Sequence, residues 1–183
     1  MHYPFSLRAL GLVLGLALVA THLLAALRSE PVKHFLRRFP RSHLAGLVLV
    51  TIDLIWAWAI AATMDWGEFL TWRMPVLVLL PVAYALTMFL VHEFLAARAL
   101  GMLMLLAAMP LLDAAFMRPP PSRLLIVVLA YIWVVFGLWW TSSPHALRDH
   151  LDFAMATPVR WSIAVWSGIV YGLAMLAAAL LWW

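Results

Sequence analysis

The stretch HLAGLVLVTIDLIWAWAIAATM, residues 43–64, decides the fold. It holds one carboxylate, Asp53, and no Lys or Arg. A bilayer core about 30 Å thick needs roughly 20 apolar residues in a helix that rises about 1.5 Å per residue. The apolar residues run on without alternating, which favours a helix over a strand of an outer-membrane barrel. Five further stretches meet the same requirement: 5–27, 75–91, 99–117, 124–140 and 161–183. The expected fold is all-α, a polytopic transmembrane helical bundle of about six spans with one or two short interfacial helices. Residues 1–183 then form a single integral membrane domain.

Composition agrees with that reading. Of 183 residues, 67% are hydrophobic and 11% charged, too few charges to keep the surface of a soluble fold wet. There is no Cys, so a disulfide scaffold is excluded. The net charge of +4 belongs to membrane-surface loops, and no nucleic-acid partner is expected. The first span resembles a signal core only in its basic start. Its apolar run is longer, no small-residue cleavage site follows, and a basic block comes directly after, so it reads as a retained helix.

Cations set the expected orientation. With the first connection in the cytoplasm, the inner segments carry Arg28, Lys33, Arg37, Arg38, Arg41, Arg98, Arg148 and Arg160. The outer segments then carry Arg8, Arg73, Arg118 and Arg123. This bias points to a multi-pass protein of the inner cell membrane with both termini outside the cytoplasm. Trp66, Trp72, Trp182 and Trp183 at one level, and Trp139, Trp140 and Trp161 at the other, suit headgroup anchors.

Two connections carry helical patterns. In Arg28–Ser42, Ser29 is placed to cap, Pro31 to open and Pro40 to stop a helix. Val32, Phe35, Leu36 and Phe39 share a face, opposite Lys33, His34, Arg37 and Arg38. Lys33, Arg37, Arg38 and Arg41 are therefore candidate contacts for lipid headgroups, anionic ones included, although ordinary positive-inside bias explains the same charges. In Ser143–Ala156, Ser143 and Pro144 suit a cap and first turn, with Leu147, Leu151, Ala154 and Met155 on one face.

Asp53 lies about 15 Å into its span, near the bilayer centre, where a carboxylate is costly and should face the bundle. Tyr84 reaches a similar depth from the antiparallel third span, and Thr87 lies one turn further in. Two readings follow: a proton- or cation-binding carboxylate in a transport path, or a buried hydrogen bond from Asp53 to Tyr84 or a backbone carbonyl.

His92, Glu93, His145 and Asp149 gather at the cytoplasmic face as candidate catalytic groups. His92-Glu93-Phe-Leu-Ala96 lacks the second His of a zinc protease helix, so no metal site is expected. His22 and His92 are too little to call for a haem, and no cofactor is expected.

Gly11-xxx-Gly15 and Gly168-xxx-Gly172 permit close backbone approach, either of the first and last helices to each other or of one of them to a second copy or complex partner. With minimal loops and no complete motif, a non-enzymatic accessory or scaffold subunit is favoured. The alternatives are a small proton- or cation-coupled transporter component using Asp53, and an interfacial enzyme on a lipid-type substrate using the cytoplasmic-face His, Glu and Asp.

Overall fold

A computed structural model describes residues 6–90 and 94–183. The described residues form eight α-helices and no strand. Six helices are long and apolar enough to cross a bilayer: α1 (Leu7–Leu27), α3 (His43–Thr63), α4 (Arg73–Leu90), α5 (Leu95–Ala115), α6 (Leu124–Ser142) and α8 (Pro158–Leu181). The short helices α2 (Ser29–Arg38) and α7 (His145–Met155) touch each other at one end of the bundle. The opposite end brings together the two ends of the described chain: Trp183 packs beside Gly11, and its indole N–H donates to the Ser122 hydroxyl at 2.8 Å.

Helix ends follow caps, whereas apolar runs mark only hydrocarbon depth. The fourth span starts at Leu95 instead of 99, with no side-chain cap, the Phe94 carbonyl accepting from the Ala97 and Arg98 N–H groups. Phe94 and Met117, with φ of 54° and 52°, sit at the two ends of this helix. The last span starts at Pro158 instead of 161, because the Thr157 hydroxyl accepts from the Arg160 N–H at 3.2 Å. Phe5 and Val91, at the ends of two expected spans, lie outside the described residues.

Two caps differ from expectation. Ser29 is the first residue of α2 and makes no capping bond, and Ser143 contributes its carbonyl, not its hydroxyl, to the first turn of α7. In both places the preceding helix runs almost directly into the next, and a backbone carbonyl starts the new helix: Arg28 accepts from the Val32 N–H and Ser143 from the Ala146 N–H.

Packing organises the spans into two tight pairs, α1 with α8 and α5 with α6. These join through a core that includes Leu7, Leu111, Ile126, Ala130 and Met175. Across it the Tyr171 hydroxyl donates to the Leu125 carbonyl at 2.6 Å. Lipid is as apolar as the side chains, so small residues decide where helices meet. The α1–α8 pair crosses at Gly15 and Gly172, where a Cβ on either would stand 3.0 Å from the other's carbonyl oxygen. The α5–α6 pair crosses at Gly101 and Gly137, more closely still. Outside this core α3 lies against α5, and α4 lies against α3.

Candidate functional site

Asp53 stands halfway along α3 and is 6% exposed. It shares a buried stripe with Gly46 and Ala61, spaced seven and eight residues apart and so on one helix face. At Gly46 that face meets Leu95 and Ala96 of α5. Neither carboxylate oxygen has a hydrogen-bond partner among the described residues, and neither touches solvent-accessible space.

Tyr84 does not reach it. Its hydroxyl lies 2.9 Å from the Thr51 hydroxyl, which also donates to the Leu47 carbonyl at 2.8 Å. Residues two apart on a helix point to nearly opposite sides, so Thr51 faces α4 while Asp53 faces away from it. The expected Asp53–Tyr84 bond is thus replaced by Thr51–Tyr84. Thr87 donates to the Ala83 carbonyl of its own helix at 2.8 Å.

At the end formed by α2 and α7, the candidate catalytic groups do not assemble among the described residues; His92 and Glu93 lie outside them. His145 is exposed at a cleft of about 380 Å³ shared with Phe94, Arg98 and Ser142–Pro144. Arg98 donates to the Thr141 carbonyl at 3.3 Å. Asp149 is exposed and takes two hydrogen bonds from Arg148, at 2.8 and 3.0 Å. No group of three His, Asp or Glu that would hold a metal is found among the described residues.

The histidine here with both ring and hydrogen-bond partners is one outside the candidate catalytic set. His150 accepts the Trp140 indole N–H at Nδ1, 3.1 Å away, and meets the rings of Phe136 and Trp139 edge-on. This contact ties α7 to the end of α6. Its sequence signal was the cluster Trp139-Trp140 one short turn before an amphipathic helix.

The basic helix α2 carries Lys33, Arg37 and Arg38, with Arg41 in the turn that follows. The Lys33 ammonium donates to Glu30 at 2.9 Å and stands 5.4 Å from the centre of the Trp161 ring. The Lys33 hydrogen bond, aided by the charges of Lys33 and Arg37, holds the Glu30 carboxyl below its ordinary value of 4.5. A depressed folded-state value means that the pair contributes above the ordinary carboxylate range and is lost as pH falls through the lower value. We expect Glu30 to titrate below 4.5 by carbon-13 NMR of its carboxyl, and to return toward 4.5 in Lys33→Gln. An unshifted Glu30 would remove the pair.

Behind α2 lies a half-open chamber of about 320 Å³ lined by α1, α2, α7 and α8. His22 is in its wall, with Nδ1 2.8 Å from the Leu18 carbonyl and its other edge against Gly168. Gly11, Gly15, Gly168 and Gly172 all face the α1–α8 contact, within one chain.

The Gly101–Gly137 crossing escaped sequence reading. Ala97-xxx-Gly101 and Gly137-xxx-Thr141 carry the same small-residue spacing as the two motifs singled out in α1 and α8. Comparison of the chain with known protein families, with curated proteins and with solved structures gives no match.

Proposed function

We propose that the chain is a non-enzymatic accessory or scaffold subunit of an inner-membrane assembly, and that it meets its partner along α4. One observation carries this reading: none of the described side chains of α4 is buried in the chain's own bundle. Val78, Leu79, Leu86 and Phe89 are each more than half exposed. Polar pins hold the helix where packing does not. These are Thr51–Tyr84, the Trp58 indole N–H on the Leu77 carbonyl at 3.2 Å, and Arg73 on the Ala62 carbonyl at 2.6 Å. Association between helices in lipid rests on close packing and such bonds, and a helix with so little of the first has a face free for another protein. The excess of cations at the α2–α7 end supports a cytoplasmic position for that end, with both termini across the membrane.

Photo-crosslinkers placed at Val78, Leu79 and Leu86 in native membranes test the proposal, with Val170 on α8 as the control. A discrete protein adduct from the α4 positions and none from Val170 is the expected result. Lipid adducts alone at all four positions would overturn it.

A second reading rests on Asp53, a mid-membrane carboxylate with both oxygens unpartnered among the described residues. Such groups are costly and mark ion or proton paths in membrane proteins. Proton-coupled uptake into vesicles that is abolished in Asp53→Asn supports a transporter component; uptake indifferent to that change removes it.

A further inference from the structure

The chamber behind α2 is apolar in effect despite its two polar wall residues. The Thr21 hydroxyl donates to the Ala17 carbonyl at 2.7 Å. A carbonyl can only accept, so His22 Nδ1, 2.8 Å from the Leu18 carbonyl oxygen, carries the hydrogen between them. Both side chains are thus turned back on the backbone of α1, and neither directs a hydrogen into the space. The remaining wall is hydrocarbon and indole, including Val32 and Leu36 of α2, Ala154 of α7 and Trp161 of α8. With both hydrogens committed to α1, the wall leaves only acceptor lone pairs on Thr21 and His22, the low end of the two to four polar partners that ordered water needs.

The mouth is different. Lys33 stands over the Trp161 ring that forms part of the wall, and Arg37 follows one turn later on α2. Among the described residues, this end carries Arg28, Lys33, Arg37, Arg38, Arg41, Arg98, Arg148 and Arg160, against Glu30, Asp149 and Asp152. Asp149 is already paired with Arg148, and Glu30, the partner of Lys33, is 81% exposed and free to swing into water. An occupant must therefore combine a hydrocarbon chain with an anionic head.

We propose that the chamber takes one acyl chain of an anionic phospholipid, whose phosphate rests on Lys33 and Arg37. The lipid would wedge α2 and α7 against the α1–α8 pair, making the two interfacial helices a lipid-dependent cap. This goes beyond the scaffold reading and does not depend on it.

Native mass spectrometry of the full chain, exchanged into phosphatidylglycerol or phosphatidylcholine of identical acyl chains, tests it. One phosphatidylglycerol should remain bound, with roughly thirtyfold preference over phosphatidylcholine, as two basic residues near an anionic head predict. Filling the space with Ala154→Phe, or with Ala164→Leu should the first variant misfold, should remove retention of both lipids while the melting temperature without lipid is kept. Lys33→Gln with Arg37→Gln should retain a lipid but lose the preference. Equal retention of the two lipids by the unaltered chain would overturn the proposal, as would undiminished phosphatidylglycerol binding in a folded, chamber-filled variant.

Discussion

Asp53→Leu should make the protein more stable, by about 2–4 kcal/mol, although it replaces a buried residue in the middle of a helix. The sign comes from the absence of any hydrogen-bond partner for either oxygen among the described residues. A buried polar group that is satisfied loses its bonds on substitution, and the protein weakens. A carboxylate that is buried and unpartnered has only its desolvation to lose, and an apolar side chain of similar size removes that penalty. Tyr84 would have supplied the missing bond, but it is taken up by Thr51 on another side of α3. Reversible unfolding in mixed micelles measures the change, with Asp53→Asn giving a smaller gain. A loss of 1 kcal/mol or more in Asp53→Leu would show that the carboxylate is satisfied, and would also remove the main support for a transport role. A gain would mean that this residue is kept at a cost to stability, which is the pattern of a functional group.

Gly137→Val should destabilise the protein by about 3 kcal/mol, and Gly101→Val at least as much. A Cβ at Gly137 would lie 2.8 Å from the Gly101 carbonyl oxygen, and one at Gly101 would lie 2.7 Å from the Gly137 carbonyl oxygen. The obstacles are backbone atoms on both sides, so no side-chain rotation relieves them and α5 must part from α6. The Gly15–Gly172 crossing is looser, at 3.0 Å each way, and alanine there should cost less. Gly67 supplies the contrast: its φ is 47° with nothing within 4 Å of a Cβ, so Gly67→Ala should cost only about 1 kcal/mol for the left-handed backbone. Because parting the helices once relieves both contacts, Gly101→Ala and Gly137→Ala together should cost less than their sum. The same unfolding assay reads all of these; an unchanged midpoint in Gly137→Val would mean that the crossing is not as close as described.

The two interfacial helices were legible because amphipathic spacing and prolines are local signals. Val32 and Leu36 do turn inward, whereas Phe35, expected on the same face, is exposed; Leu147 and Met155 are buried, as their shared face implies. Their capping was not legible, because it depends on whether the preceding helix has already ended. Asp53 was legible as a buried carboxylate from depth alone, yet its neighbour was misassigned. Tyr84 was matched to it by depth, and depth says nothing about rotation around the helix axis. The 100° that separates one residue from the next put Thr51 there instead.

Hydrophobic length is a property of consecutive residues, and the bilayer demands that every backbone polar group be satisfied within the segment that crosses it. For that reason the chain alone determined an all-helical protein with six spans and cations massed at one end. Lateral arrangement has no such local cause, since lipid and leucine are equally apolar and nothing in a span's composition names its neighbour. Only the tertiary structure decided that α5 is central and α4 peripheral, that Asp53 has no hydrogen-bond partner among the described residues, and that the ends of four helices line a largely apolar chamber beside Lys33. The two tight pairs, α1 with α8 and α5 with α6, follow from shape at a few glycines, where two backbones come close enough for their carbonyls to exclude a larger side chain.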